Sequence, residues 1–142
     1  RGERVSPLVS RARAEFWAVL LIPDLPSIPK KTQTLYNSLS ESSFTRGEAS
    51  RRMVESLSER GPLGPSMLFN VFETVAWEVY PGLAESRKLF QACGAAGVHL
   101  AGSGPVLFTL LEERGRAEAI CESLRRRGVE ACTAQALGRD HG

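Results

Sequence analysis

The sequence has few residues suited to metal binding or disulfide bonding. Its 142 residues include three cysteines and two histidines, and no Cys-x-x-Cys or His-x-x-x-His spacing occurs. The odd number and wide separation of Cys93, Cys121 and Cys132 disfavour a disulfide framework and a zinc site. All three lie among apolar neighbours, so we expect small buried hydrophobic side chains in a reducing, cytoplasmic compartment.

Long hydrophobic runs and a strong charge of one sign are also absent. The longest apolar run, residues 16–22, is too short to cross a bilayer, and the polar first eight residues predict no secretory signal. A net charge of +2 lacks the basic footprint of a nucleic-acid binder. We therefore expect neither a membrane nor a nucleic acid as partner. The basic run 125–127 before Gly128 favours a helix C-terminus over a phosphate-binding patch.

Recognisable catalytic motifs are missing as well. There is no Gly-x-Ser-x-Gly, no phosphate loop ending in Gly-Lys-Ser/Thr, and no convincing carboxylate pair. We accordingly assign no catalytic residue and no metal ligand. His99 lies in a short apolar stretch, where a packed or hydrogen-bonded histidine is more common than a catalytic one.

The apolar periodicity predicts one domain of α+β class. The length suits a single core, and the pattern gives a small, mostly antiparallel four-stranded sheet with helices mainly on one face. The expected elements are a strand at 16–22, helices from Lys31, from Thr45, over 68–79, over 83–93 and over 117–124, a hairpin from 98–101 and 106–111, and a strand at 129–133.

Two local signals refine these helices. Thr45 and Glu48 have capping-box spacing, which predicts a helix start there with Met53, Val54 and Leu57 as its buried stripe. The glycines and prolines of residues 61–65 predict a chain break.

Residues 102–104, Gly-Ser-Gly, are the most suggestive functional element. Flanking glycines let the backbone approach a ligand, and adjacent amides in such a turn form an anion-binding nest. A plain glycine-rich hairpin turn is the alternative. Asn70 and Glu73 lie three residues apart on the predicted helix 68–79 and share a face. They point either at a ligand or at a neighbouring segment, as a cap or inter-element hydrogen bond.

Several segments together resemble one family. Asn-Val-Phe-Glu at 70–73, Tyr-Pro-Gly-Leu at 80–83, Gly-Ala at 94–95 and Ala-Gly-Ser-Gly-Pro-Val-Leu-Phe at 101–108 occur in order. They resemble the C-terminal domain of the GHMP small-molecule kinases, whose fold is ferredoxin-like. The family's Ser-Thr-x-x-x-Tyr element is similar to residues 31–36, and residues 1–4 are similar to its Gly-x-Gly-Glu run. The resemblance covers nearly the whole chain.

The sequence departs from the family pattern at several points. Ala101 stands where the family usually has serine, and Val71 where it has aspartate. The family's N-terminal half, with its phosphate loop and the lysine and aspartate proposed to act on the substrate hydroxyl, has no match here. Residues 1–142 are therefore expected to be a GHMP kinase C-terminal domain, with the N-terminal ATP-binding and catalytic domain absent from the chain.

The resemblance implies a role for each candidate residue. The parent enzyme would use ATP and Mg, of which this chain alone would bind none; its partners would be a small-molecule substrate and the missing N-terminal domain. Gly102, Ser103 and Gly104 would brace the phosphate loop, while Asn70 and Glu73 would be structural. Tyr36 would stack on a base of the substrate or, alternatively, anchor its helix in the core. Thr32 would cap that helix or bind substrate, and we favour the cap.

The function within the family stays open at this point. The segments are most similar to those of a kinase of non-mevalonate isoprenoid (terpenoid) biosynthesis, and homoserine and mevalonate kinases are the alternatives. A stand-alone α+β module that binds a ligand without chemistry is a further alternative from a different class.

Overall fold

A computed structural model describes residues 16–59 and 67–136 of the chain. The predicted break at 61–65 and the segment 1–4 lie outside the described residues. The strands are β1 (Trp17–Ile22), β2 (His99–Leu100), β3 (Leu107–Leu111) and β4 (Glu130–Gln135). The helices are α1 (Lys31–Ser38), α2 (Glu48–Ser58), α3 (Glu73–Val79), α4 (Leu83–Ala92) and α5 (Arg114–Arg126), and a short 3-10 turn covers Glu41–Ser43.

The four strands form one antiparallel sheet in the order β2-β3-β1-β4. β1 lies in the interior of the sheet, and its Leu21 is opposite Leu107 of β3 and Ala131 of β4. This central place explains why β1 is the most continuous apolar run of the sequence. The predicted strand, hairpin and final strand are confirmed, and so is the predicted α+β class.

The core lies on one face of the sheet, because the strand side chains alternate between its two faces. Val19 and Leu21 of β1 are fully buried on the inner face, together with Leu107 of β3. Helix α5 covers this face with a stripe at helical spacing, formed by its buried residues Ala117, Ile120, Cys121 and Leu124. Leu35 of α1, Ala76 of α3, and Leu83 and Phe90 of α4 complete the same core.

Helix α3 is shorter than its apolar periodicity predicted. The pattern over 68–79 indicated one continuous helix, but α3 begins at Glu73. The side-chain oxygen of Asn70 accepts a hydrogen bond from the Phe72 backbone N–H at 3.0 Å. Such a local turn competes with helix formation. Asn70 therefore precedes the helix, and the prediction that Asn70 and Glu73 share one of its faces is wrong.

Helix α2 differs from its prediction at its start and along its face. It begins at Glu48 with Gly47 in the left-handed region (φ +85°) as N-cap, and no side chain caps it. Thr45 Oγ1 accepts from Gly47 N at 3.3 Å, and Glu48 Oε2 accepts from Arg46 N at 2.9 Å, so the two side chains stabilise the preceding turn instead.

The expected buried stripe of α2 is not buried. No residue of the helix is buried, and Val54 is 41% exposed. Periodicity determines which side chains share a face, but it does not supply the surface that covers that face. The prediction for Met53, Val54 and Leu57 is therefore wrong for this chain.

The end of α5 and the cysteines give one confirmation and one correction. Helix α5 ends at Arg126, and Gly128 follows with φ +78°, as the basic run and glycine predicted. All three cysteines are free thiols, but only Cys121 is buried, whereas Cys93 and Cys132 are half-buried. Burial raises the pKa of the Cys121 thiol, which keeps it protonated and unreactive.

Candidate functional site

The loop between β2 and β3 covers residues 101–105, and we call it the glycine turn. Gly102 and Gly104 both have positive φ, at +56° and +74°. Ala101 N donates to Val106 O at 2.8 Å, and Gly104 N donates to Ala101 O at 2.9 Å. Since left-handed backbone is costly for residues with a Cβ, this conformation explains the two glycines.

Three successive carbonyl oxygens of the glycine turn each accept a hydrogen bond from a side chain of another element. The bonds are Asn70 Nδ2 to Gly102 O at 2.7 Å, Tyr80 OH to Ser103 O at 2.6 Å, and Lys31 Nζ to Gly104 O at 2.8 Å. The donors come from the start of α1, the residue after α3 and the turn before it. The conformation of the glycine turn is thus imposed by its surroundings as well as by its glycines.

This arrangement leaves two backbone donors available. In a trans peptide the N–H points away from the C=O of the same plane. Asn70 binds the Gly102 carbonyl, so the Ser103 N–H of that peptide points away from Asn70. Neither Gly102 N–H nor Ser103 N–H bonds to a described residue. Gly102 is exposed and Ser103 half-buried, and anion binding by these adjacent amides stays a prediction.

Asn70 and Glu73 both bind the last residue of β2. Asn70 Nδ2 donates to Leu100 O at 2.9 Å, and Leu100 N donates to Glu73 Oε1 at 2.7 Å. The two side chains therefore complete both backbone hydrogen-bonding groups of Leu100, at the point where the sheet edge turns into the glycine turn. They contact backbone, in accordance with the inter-element reading of the sequence, and they lie on the turn and the first residue of α3.

His99 packs beside this pair. Its side chain is 13% exposed, and Nδ1 lies 3.3 Å from Glu73 Oε1. Its ring is 5.8 Å from that of Phe108, centroid to centroid. Neither ring nitrogen makes a hydrogen bond to a described residue. A packed histidine was the expectation from the sequence.

The Tyr80 hydroxyl donates a hydrogen bond to the glycine turn. Burial raises the pKa of its phenol, because removal from water disfavours the charged phenolate. The hydroxyl therefore stays protonated at neutral pH and keeps its 2.6 Å bond to Ser103 O.

Thr32 and Tyr36 of α1 lie on the same side of the molecule as the glycine turn. Thr32 Oγ1 donates to Ser103 Oγ at 3.2 Å. The preference for a helix cap is wrong, because Lys30, with φ +48°, is the N-cap and no side chain caps α1. Tyr36 is 59% exposed, so it does not anchor α1 in the core. Its ring contacts that of Phe72 edge-on, with centroids 4.9 Å apart.

Two residues of the site had no role assigned from the sequence. Tyr80 lies in the Tyr-Pro-Gly-Leu segment and Lys31 in the segment similar to Ser-Thr-x-x-x-Tyr. For Lys31 a signal existed, since it stands where the family pattern has serine. For Tyr80 the signal was its fixed place before Pro-Gly, but a 23-residue separation from Ser103 cannot be inferred from spacing.

Other kinds of site find little support. Within 16–59 and 67–136, no group of three or more His, Cys, Asp or Glu side chains could hold a metal ion, and no helix there is long and apolar enough to cross a membrane. A groove runs between the end of β1, the start of β4 and α4, lined by Leu21, Ile22, Pro23, Asp24, Ser86, Leu89, Gly128, Val129 and Glu130. None of its lining residues belongs to the glycine turn.

Comparison with known proteins agrees with this geometry. The family model described as GHMP kinases C terminal matches residues 46–130, which include α3, Tyr80 and the whole glycine turn. The chain belongs to this family. Its GHMP kinase fold therefore accounts for the antiparallel sheet and for the position of the turn at the sheet edge.

Similar proteins extend the match beyond the family model. A Dehalococcoides mccartyi (strain BAV1) protein named 4-diphosphocytidyl-2-C-methyl-D-erythritol kinase is 44% identical over 97% of this chain and 48% of its own length. One of the same name from Listeria monocytogenes serotype 4a is 32% identical over 88% of this chain and 41% of its own length. The chain thus spans about half the length of the curated relatives it matches.

Two solved kinase structures have a similar fold. A crystal structure of 4-(cytidine 5'-diphospho)-2C-methyl-D-erythritol kinase matches with a TM-score of 0.69 and 28% identity, over 94% of this chain and 46% of that one. Homoserine kinase from Cytophaga hutchinsonii matches with a TM-score of 0.63 and 19% identity, over 89% and 42%. The second likeness shows the fold alone.

Proposed function

We propose that this chain is the substrate-facing, C-terminal half of an ATP-dependent kinase. Its substrate would be 4-diphosphocytidyl-2-C-methyl-D-erythritol, phosphorylated on the 2-hydroxyl in non-mevalonate isoprenoid biosynthesis. The observation that carries the proposal is the 44% identity to a relative of that name over 97% of the chain. Homoserine kinase shares the fold at lower identity, so homoserine serves as a comparison substrate.

The two halves of such a kinase would contribute different groups to phosphoryl transfer. Phosphoryl transfer depends chiefly on positioning and on stabilisation of charge. The glycine turn offers two backbone N–H groups without a described partner and a backbone held by three side chains. A rigid wall of donors of this kind suits phosphate oxygens or a phosphate loop. The lysine and aspartate that the family resemblance assigns to the substrate hydroxyl would come from the other half.

The nucleotide and metal would be held mainly by the absent half. When bound, Mg²⁺ would supply positive charge that neutralises the phosphate groups. The described residues include no acidic cluster that fits the ion, so the proposal gives this domain no metal ligand.

Tyr36 would recognise the cytosine of the substrate. Its ring is 59% exposed and its tilt is fixed by an edge contact to Phe72. An exposed aromatic face is a stacking platform for a base, and such stacking contributes about 1–3 kcal/mol. Thr32, which shares a hydrogen bond with Ser103, would stand next to the same substrate.

The proposal is tested with the full-length protein that contains this chain. ATP-dependent phosphorylation is measured on 4-diphosphocytidyl-2-C-methyl-D-erythritol, homoserine and mevalonate. We expect turnover of the first alone. Turnover of homoserine or mevalonate instead would overturn the substrate assignment, and no turnover of any of the three would favour a module without chemistry.

Two variants and a truncation sharpen this test. Tyr36→Ala should raise the KM for the cytidyl substrate about tenfold, the equivalent of a lost stacking contact, while Tyr36→Phe should stay within about twofold. The 142-residue chain alone should not turn over ATP with this substrate, because the residues acting on the hydroxyl are absent from it. Measurable turnover by that chain would contradict the proposal that the other half supplies the residues acting on the hydroxyl.

A further inference from the structure

Lys31 carries a positive charge at the glycine turn that forms no ion pair with any described residue. Its Nζ donates to Gly104 O at 2.8 Å. A lysine ammonium has three donors, and this is the one bond that Lys31 Nζ makes among the described residues. Among residues 16–59 and 67–136, Arg51 pairs with Glu48 and Arg114 pairs with Glu118, and His99 Nδ1 lies 3.3 Å from Glu73 Oε1. Lys31 is therefore a cation without a carboxylate partner in the described part.

The carboxylate of Glu73, which binds the residue before the glycine turn, is already engaged. Glu73 Oε1 accepts the Leu100 N–H at 2.7 Å and lies 3.3 Å from His99 Nδ1. It is therefore held at β2 and directed at backbone. The Lys31 ammonium keeps its charge available for a ligand.

Further donors surround the ammonium. Lys31 binds the carbonyl of Gly104 at one end of the glycine turn. The N–H groups of Gly102 and Ser103, which have no partner among the described residues, lie within the same turn. The Thr32 and Ser103 hydroxyls are joined to one another beside them. A Cβ built at Gly102 would have nothing within 4 Å, so there is open space next to these donors. A positive charge with several N–H and O–H donors around open space matches the needs of a phosphate group.

We propose that the Lys31 ammonium binds a phosphate group of the ligand that reaches the glycine turn. The identity of this ligand rests on the proposed function: the phosphate belongs either to the diphosphate of the cytidyl substrate or to ATP. The bond to Gly104 O fixes the direction of the lysine side chain beforehand, so little conformational freedom is lost when the phosphate binds. Because the family pattern has serine at this position, Lys31 gives this chain a charge that the pattern does not supply.

The direct test measures binding of inorganic pyrophosphate to the full-length protein by calorimetry. Lys31→Met removes the charge and keeps the length of the side chain, and Lys31→Arg keeps the charge. Lys88→Met, at an exposed lysine of α4, is the matched control. We expect about tenfold weaker binding for Lys31→Met, the loss of one charge-assisted hydrogen bond. Lys31→Arg should recover most of the affinity, and Lys88→Met should match the parent protein.

Salt and a nucleotide analogue separate the possible sources of the phosphate. Raising the salt concentration should weaken pyrophosphate binding less in Lys31→Met than in the parent, because one screened charge is gone. Saturation with a non-hydrolysable ATP analogue should abolish the difference between the two proteins if ATP supplies the phosphate, and should preserve it if the cytidyl substrate does. In kinetics, the same sources appear as an increased KM for ATP or for the cytidyl substrate.

Two results would overturn the proposal. One is pyrophosphate affinity in Lys31→Met within twofold of the parent. The other is an equal loss of affinity and thermal stability in both the Met and Arg variants, which would indicate a purely structural cross-tie to Gly104. Because pyrophosphate binding requires no turnover, the proposal on Lys31 can fail while the kinase activity stands. Equally, the activity can fail on all three substrates while Lys31 still binds pyrophosphate.

Discussion

The glycine turn and helix α2 differ in how far other elements of the described chain bind or cover them. In the turn, three consecutive carbonyl groups are each bound by a side chain from another part of the chain. In and before α2, by contrast, apolar side chains remain in solvent: Val54 is 41% exposed, and Phe44 is 62% exposed. Among the described residues, side chains from other elements bind the glycine turn, whereas no residue of α2 is buried.

The difference shows which features of the domain are intrinsic. Asn70, Glu73 and Tyr80 hold the turn with polar contacts that stay within the chain. The turn should therefore keep its conformation in any protein that contains this domain. Helix α2, by contrast, has no buried residue, and no hydrogen bond between its side chains and the glycine turn is present in the described part of the chain.

The strongest way to break the glycine turn is to add a methyl group at Gly104. A Cβ there would lie 2.8 Å from Leu100 Cδ1 and 3.3 Å from Tyr80 Cε2, at a residue with φ +74°. Strain and overpacking together should lower the free energy of unfolding by about 3 kcal/mol for Gly104→Ala. Chemical denaturation of the chain measures this value.

Gly102→Ala is the matched control for that substitution. Its φ of +56° is also in the left-handed region, but nothing lies within 4 Å of its Cβ. We expect a cost of about 1 kcal/mol from the backbone alone. Equal costs at the two glycines would show that the packing around Gly104 does not constrain the turn.

The side chain of Asn70 joins β2 to the glycine turn, and its removal should have the next largest effect after Gly104→Ala. Asn70→Ala deletes bonds to Leu100 O and Gly102 O and the local bond from Phe72 N. Because part-buried backbone groups lose their partners, the free energy of unfolding should fall by about 2 kcal/mol. Asn70→Asp distinguishes the donors from the acceptor, since it keeps the acceptor for Phe72 N and removes the amide donors. A cost for Asp as small as that of a surface change would contradict the role of the amide.

The contribution of Tyr80 to the free energy of unfolding should depend on pH. Tyr80→Phe removes the bond to Ser103 O and should cost about 1 kcal/mol at neutral pH. Burial raises the pKa of Tyr80 in the folded protein, so the folded state keeps its proton to higher pH than the unfolded state. The contribution of this group is therefore complete below the ordinary tyrosine pKa of about 10 and is lost as pH rises through the folded pKa.

The measurement compares denaturation of the parent chain and Tyr80→Phe from pH 8 to 11. The difference between the two should shrink as pH rises past about 10, because the parent loses its advantage. A difference that grows over this range would contradict the direction of the pKa shift.

The sequence predicted the regions that depend on local periodicity and missed those that depend on distant contacts. The spacing of β1 and α5 was sufficient because each buries a repeating set of side chains against the sheet. The Lys31–Gly104 bond joins residues 73 positions apart, and no spacing rule covers such a separation. The start of α3 was missed for a local reason: the Asn70 turn precedes the helix, which begins at Glu73 and not at residue 68.

The smallest effect is predicted for Phe44, which lies in the exposed segment before α2. Phe44→Ser should change the free energy of unfolding of this chain by less than about 0.5 kcal/mol, because the phenyl ring is already mostly in water. Phe90→Ala is the contrasting variant, since that ring is fully buried and its loss should cost about 3–5 kcal/mol. A loss at Phe44 approaching that at Phe90 would mean that the segment before α2 is packed in solution, and that the two regions are equally complete.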